Sequence, residues 1–328
     1  MAFAALISAY QDAEDGETQL RALLPMAGRT LLENQVRRAV AAGASHVVVL
    51  VERVPAALNA ALDRLRRDGI AADIARSPAE AADRFHPGED VLLIADGLVA
   101  APDCFEAMAA RTPPTLLVVS DIAENRQFER VDADRRWAGL ALTDAVALAE
   151  TAAMLGEWDL QSTLMRRIVQ SGPSYLPVDG EGGAIADARE AVVLADRSAG
   201  SRDAGKAMLS RNRRDDDGWV ERYLFSPLAV RIAPLLLDRS IEAIWPRALS
   251  ILFGLGGAAC FWFGWFWAGL ALFLLSGPLH AIAARIDLAQ LRDRGGSWES
   301  RFGTGVVHAI GLLTLGARFT IDSDNRSY

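Results

Sequence analysis

The chain has 328 residues, 51% of them apolar, and a formal net charge of −8. That is room for one large domain and a small one, and the acidic balance without aromatic–basic interleaving argues against a nucleic-acid surface. The two cysteines, Cys104 and Cys260, fall in stretches of different character, which argues against a disulfide framework.

The N-terminus is apolar but lacks a basic flank and a long apolar core. It reads as a buried first strand over 3–8 rather than a signal peptide. Residues 31–42 place Leu32, Val36 and Val40 on one stripe, which predicts a helix stopped by Gly43. A buried strand follows over 47–51, an amphipathic helix over 55–68 and a short strand over 70–74. Ser77-Pro78 opens another helix with the serine as cap. Residues 91–94 form a strand that leads straight into Ala95-Asp96-Gly97, and 116–119 form a further strand. Residues 128–142 read as a hairpin inserted late. Trp158-Asp159-Leu160-Gln161-Ser162 opens a helix, 174–178 form a strand, and 184–198 run from a loop into a helix. Strands alternating with helices predict an α/β fold, a mostly parallel Rossmann-like sheet covered on both faces.

The second half changes character. Residues 201–218 are polar and charged and read as a linker. Residues 219–237 mix apolar side chains with arginine at helical spacing, which predicts a helix along a membrane surface. Residues 248–284, 37 in all, carry no formal charge and are bracketed by Arg247 and Arg285. At about 1.5 Å per residue a single helix would reach about 55 Å, against a hydrocarbon core of about 30 Å. Two spans are therefore expected, broken at Phe261-Trp262-Phe263-Gly264-Trp265, where aromatics suit a membrane–water boundary and Gly264 a turn. Arg211, Arg213, Arg214, Arg222, Arg231 and Arg239 precede the first span, and Arg292, Arg294 and Arg301 follow the second. By the positive-inside rule both flanks, and the head with them, lie in the cytoplasm at an inner membrane. A third apolar segment, 302–315, holds His308 and would carry the tail outside. The domain plan is thus an α/β head over 1–200, a charged linker and surface helix over 201–240, and membrane helices over 241–328.

Two carboxylates in the head invite chemistry. Asp96 follows a buried strand, and ligands of open α/β sheets sit outside the carboxyl ends of strands. A carboxylate there can hold Mg²⁺ against phosphates, or it can serve only as a turn residue beside Gly97; at a strand end it is expected to be exposed. Asp187 lies in Gly182-Gly183-Ala184-Ile185-Ala186-Asp187 and either caps the helix that follows or completes a metal site with Asp96.

Leu23-Leu24-Pro25-Met26-Ala27-Gly28-Arg29-Thr30-Leu31-Leu32-Glu33 resembles the leu-leu-pro-x-x-gly-x-pro-leu-leu-glu stretch of nucleoside-triphosphate-dependent nucleotidyltransferases. The resemblance covers roughly residues 3–198. It implies that Asp96 and Asp187 are the catalytic aspartates that hold Mg²⁺, and that Ser8, Arg21 and Gly28 contact the nucleotide. Arg21 stands where the family has a lysine. The opening loop, Ser8 to Glu17, has one glycine and four acids where the family is glycine-rich.

Residues 217–232, from Asp217-Gly218-Trp219 to Ala229-Val230-Arg231-Ile232, resemble the junction in bifunctional enzymes that fuse an inositol-1-phosphate cytidylyltransferase to a CDP-alcohol phosphotransferase. In the phosphotransferase motif Ala284-Arg285 matches, but His280 and Ala281 replace Asp-Gly. Counted from Gly295, Glu299 and Gly303 replace the two later aspartates. One carboxylate cannot hold a dinuclear site, so the stem is expected to lack transfer chemistry. His280, beside Pro278, reads as an interfacial polar residue or as a ligand.

The resemblance implies a membrane-anchored nucleotidyltransferase-like protein that uses a nucleoside triphosphate, CTP by analogy, to activate a phosphorylated polyol or sugar for headgroup synthesis. The alternative is a catalytically inactive homologue that partners a complete membrane phosphotransferase or a second copy of itself. Membrane lipid is a partner in either case.

Overall fold

The computed structural model describes residues 3–14, 19–155, 159–178, 192–211 and 243–289, with isolated positions at 232–233, 236, 306, 309–311, 313–314 and 316. The chain divides into two compact units, Met1–Ala207 and Met208–Tyr328.

In the first unit the strands are β1 (Phe3–Ser8), β2 (Pro25–Met26), β3 (Arg29–Thr30), β4 (Ala44–Leu50), β5 (Asp73–Ala75), β6 (Asp90–Ile94), β7 (Leu98–Ala100), β8 (Thr115–Ser120), β9 (Glu129–Arg130), β10 (Arg135–Asp144), β11 (Ser174–Pro177) and β12 (Val192–Leu194). The helices are α1 (Leu31–Ala41), α2 (Ala56–Arg67), α3 (Pro78–Ala82), α4 (Pro102–Ala109), α5 (Ala145–Met154), α6 (Leu160–Gln170) and α7 (Ser198–Arg211). The main sheet has the order β11-β8-β10-β6-β1-β4-β5, with β9 on β10. Only β10 runs against the others among these pairings. Every residue of β1 is buried, so both faces of the sheet centre are covered, as an unbroken apolar run requires.

Local signals behave as their chemistry dictates. Gly43 ends α1 at φ +106°, and Ser77 caps α3 by accepting from Glu80 N–H. Thr30 and Glu33 form a reciprocal capping box on α1. Three expectations change. The late hairpin exists as β9–β10, but β10 is no insertion: it is wedged between β6 and β8. Its Trp137–Leu142 run is wholly buried, as a central strand must be. Within 184–198, Val192–Leu194 is a strand paired antiparallel with β7 rather than helix, and the helix starts only at Ser198. The polar stretch from Ser201 is not a linker at its start. It continues α7, where Ser201 is buried and its hydroxyl donates to Pro25 O at 3.0 Å.

The second unit holds α8 (Ile244–Trp262) and α9 (Phe266–Ala289), both long and apolar enough to cross a membrane. They are joined at Phe263-Gly264-Trp265, with Gly264 at φ +83°. Trp262, Phe263, Trp265 and Trp267 are all exposed there. Glycines let the helices approach: a β-carbon on Gly269 would sit 2.7 Å from the Phe261 ring, and one on Gly257 would sit 3.0 Å from Gly269 O. Ser250 donates to Ser276 O at 2.8 Å, and Arg247 pairs with Asp287. Overpacking such a contact costs about 1–3 kcal/mol, enough to reduce pairing several-fold. In protein carrying S250C and S276C and lacking its native cysteines, oxidative cross-linking is expected to be efficient and to fall several-fold when Gly269→Leu is added. Equal cross-linking with and without Gly269→Leu would show that this packing does not hold the pair. His280, Ala281, Ala284 and Arg285 lie on α9. The surface-helix segment 219–237, the third apolar segment 302–315 and Glu299 lie wholly or largely outside the described residues.

Candidate functional site

β1 and β6 lie side by side, but the chain leaves them toward opposite sides. From β1 it passes through α1, β4, α2 and β5 to one edge, then returns to β6 on the other flank of β1. The loops after these two strands diverge at a topological switch point, the place where open α/β sheets form a ligand crevice. Asp96 stands in the loop after β6, and Ser8 to Gln11 run off the end of β1.

Asp96 is not the exposed strand-end carboxylate expected from sequence. It is 3% exposed, because the loop after β1 folds across it. Gln11 N–H donates to its Oδ2 at 2.7 Å, and Asp96 N–H donates to Gln161 Oε1 at 3.2 Å. Its Oδ1 is buried and has no hydrogen-bond partner within ordinary bonding geometry among the described residues. Burial pushes the Asp96 carboxyl up to about 7, against the Gln11 N–H, the charge of Arg21 and the backbone N–H groups of Tyr10 and Gly97, which act to lower it. An orphaned, buried carboxylate oxygen is a hard ligand awaiting a proton or a hard cation.

The Asp96 loop is held from below and from the side. Gln35, buried on α1, donates through Nε2 to Ala95 O and Leu98 O, both at 3.0 Å, and so clasps both ends of the turn. On α6, Asp159 caps the helix by accepting from Ser162 N–H at 2.8 Å, and it also accepts from the Tyr10 hydroxyl. Burial first, then the bond to Asp159 and the charges of Asp159 and Asp96, raise the Tyr10 hydroxyl far above its ordinary value.

The remaining expected site residues are dispersed around this point. Ser8 is buried at the last position of β1, in register with Leu50. Arg21 holds the loop after β1, donating to Gln11 Oε1 at 2.8 Å and Asp12 O at 3.2 Å. Gly28 sits with Ala27 in the two-residue turn between β2 and β3, at φ +75° and +48°. A primed turn of that kind demands such angles, so the glycine is explained by backbone geometry. Asp187, with Gly182 and Gly183, lies outside the described residues. Among the described residues no cluster of three or more His, Cys, Asp or Glu could hold a metal.

The acidic loop is partly neutralised. Asp12 pairs with Arg53, and Glu14 pairs with Arg197, whose Nη2 and Nε lie 2.5 and 2.9 Å from Glu14 Oε2. Residues 195–197 run over both switch-point loops: Ala195 N–H donates to Gly97 O at 2.8 Å, and Glu14 N–H to Asp196 O at 2.9 Å. Gly97 is at φ +76°, and a β-carbon there would meet Ala195 O at 2.7 Å. The left-handed backbone alone costs a non-glycine residue about 1–2 kcal/mol. Gly97→Ala is therefore expected to lower the stability of the first unit by at least that amount and to expose the Ala195 amide to hydrogen exchange. Unchanged protection at Ala195 would show that the two segments are not coupled.

Sequence reading missed Tyr10, Gln11, Gln35, Asp159 and Gln161. Gln35 carried a signal, an amide on the buried stripe of an amphipathic helix; Tyr10 and Asp159, 149 positions apart, carried none.

No protein-family model matches the chain, and no curated protein matches it in sequence. Among solved structures it is similar to the CTP:phosphocholine cytidylyltransferase of Streptococcus pneumoniae, at 14% identity and a TM-score of 0.44, over 63% of this chain and 100% of that one.

Proposed function

We propose that this chain is a membrane-anchored nucleotidyltransferase-like protein whose head binds a nucleoside triphosphate, CTP by the sequence resemblance, at the β1/β6 switch point. The observation that carries the reading is the buried Asp96 carboxylate, tied to the loop after β1 by Gln11 and presenting an Oδ1 that no described residue bonds. Asp96 would hold Mg²⁺ there, with Asp187 as the second carboxylate of the resemblance. The bound ion would supply positive charge against the triphosphate. Gln11 and Arg21 shape the loop that faces it, and Gln35 and Gln161 fix the Asp96 turn. The acceptor would be a phosphorylated polyol or sugar, and the product a CDP-activated headgroup precursor.

The two apolar helices serve as the anchor, with their arginine-rich flanks and the head on the cytoplasmic side of an inner membrane and the Trp262–Trp265 turn outside. His280 and Ala281 in place of the motif's Asp-Gly argue that α9 takes no part in phosphotransfer. Full-length protein in lipid nanodiscs should bind one of the four ribonucleoside triphosphates in an Mg²⁺-dependent manner by isothermal titration. Failure with all four would overturn the reading.

A second reading is favoured by the loop itself. The N–H groups of Gln11, Ala13 and Glu14 are all taken by internal acceptors, so few backbone donors face a phosphate. An inactive homologue would bind nucleotide without turning it over, and would serve a complete phosphotransferase or a second copy as a membrane-bound partner. Pyrophosphate release on adding phosphorylated polyols or sugars separates the two: sustained release supports the enzyme, and binding without release supports the inactive homologue.

A further inference from the structure

Residues 195–197 form a strap that touches both loops of the switch point and leads directly into α7. Ala195 binds the Asp96–Gly97 turn, and Asp196 and Arg197 bind Glu14 at its backbone and its carboxylate. α7 then rests on the β2–β3 hairpin, through the Ser201 hydroxyl on Pro25 O and through Gly205, where an added β-carbon would lie 3.3 Å from Ala27 N. The strap thus contacts the two loops that frame the crevice and leads into α7.

The contacts differ in strength. The two backbone hydrogen bonds are well formed, at 2.8 and 2.9 Å. The Arg197–Glu14 pair is largely in water, with side chains 62% and 46% exposed. Exposed pairs contribute little and are readily exchanged. Phosphate is a better partner for a guanidinium than a solvated carboxylate is, because it offers more charge and several acceptor oxygens to the planar fork.

We propose that Arg197 is a phosphate-binding residue that exchanges Glu14 for the phosphates of a bound nucleotide, so that the strap latches the site when a polyphosphate is present. Glu14 is then the resting partner that holds the strap in register and competes with the ligand. The proposal rests on the nucleotide-binding reading above and names the cation that answers the triphosphate. It requires no covalent step; one ion pair breaks and another forms.

The test is a double-mutant cycle on full-length protein in nanodiscs, titrated with Mg²⁺ and each of the four ribonucleoside triphosphates, with hydrogen exchange followed over 192–205. Arg197→Ala should weaken binding by about tenfold or more, the scale of one charge-assisted hydrogen bond. Arg197→Lys should restore part of the loss. Glu14→Gln should tighten binding several-fold, and that gain should disappear when combined with Arg197→Ala. Nucleotide should increase protection of 195–197 in the wild type and not in Arg197→Ala. If Arg197→Ala leaves affinity unchanged, or Glu14→Gln gains equally in both backgrounds, the latch is wrong while the nucleotide reading stands. If wild type binds none of the four, both fall. Circular dichroism and the thermal midpoint of each variant report whether it is folded, and Arg197→Lys gives a second, conservative test of the same contact.

Discussion

Replacing Glu33 with alanine is expected to destabilise the first unit by about 3–5 kcal/mol, the cost of removing one partner from a buried ionic group. The Glu33 side chain is wholly inaccessible, yet it satisfies donors from three directions. Thr30 N–H and Oγ donate to Oε2 at 2.9 Å each; Arg64 donates through Nε at 3.0 Å and Nη2 at 2.7 Å; Arg29 Nη1 lies 3.2 Å away. Alanine would remove the capping box of α1 and leave Arg29, only 11% exposed, with Asp68 as its remaining carboxylate. Burial acts to raise the Glu33 carboxyl, but the Arg64 hydrogen bonds, the Thr30 bonds and the Arg64 charge outweigh it and hold the group below its ordinary value. The sign follows from that depression. The contribution is present above the unfolded carboxylate value of about 4.3 and is lost as pH falls through the lower folded value. Urea unfolding at pH 7 should show the full difference between wild type and Glu33→Ala, and at pH 2–3 the difference should shrink. A loss below about 1 kcal/mol at pH 7, or one independent of pH, would mean that the cluster is a surface network in energetic terms.

Much of this architecture was legible in the sequence because it rests on local signals. Phe3–Ser8, Val47–Leu50 and Val91–Ile94 are short apolar runs next to helical stripes, and such alternation has few solutions besides a covered, mostly parallel sheet. The uncharged 248–284 stretch is too long for one span, and Gly264 among aromatics marks the break. What was not legible depends on distance in sequence. Nothing local says that β10 slots between β6 and β8, since its antiparallel direction is set by register partners such as Ser120 for Arg135 and Asp90 for Asp144, in strands well upstream. The burial of Asp96 is likewise invisible without knowing that Gln11, 85 positions earlier, folds over it. Strand β12 is not legible because Val-Val-Leu at 192–194 is too short for a period, and only its pairing with β7 makes it a strand.

Replacing Asp96 with asparagine is expected to stabilise the first unit at alkaline pH while abolishing Mg²⁺-dependent nucleotide binding. The two effects have one cause. The folded state raises the Asp96 carboxyl to about 7, above an unperturbed value of about 3.9. Between those values the folded chain holds a proton that the unfolded chain releases. The stability owed to this group is complete below about pH 4 and is lost as pH rises through about 7. At pH 8 the wild type carries an ionised carboxylate in a desolvated site, with Oδ1 unpartnered. Asparagine removes that charge and keeps an oxygen for the Gln11 N–H, so a gain of about 1–3 kcal/mol at pH 8 is expected, vanishing near pH 4. Urea titrations of full-length protein in nanodiscs at pH 4, 6 and 8 read this directly. Mg²⁺ supplies the second arm. A cation on Oδ1 would hold the carboxylate ionised at no cost, so Mg²⁺ should flatten the pH dependence of the wild type and leave Asp96→Asn unaffected. Parallel pH profiles for the two proteins would show that Asp96 is solvated in solution and contributes only a turn. A wild-type profile that steepens as described but ignores Mg²⁺, with nucleotide binding retained in Asp96→Asn, would leave a buried acid that serves the fold and would remove Asp96 from the site.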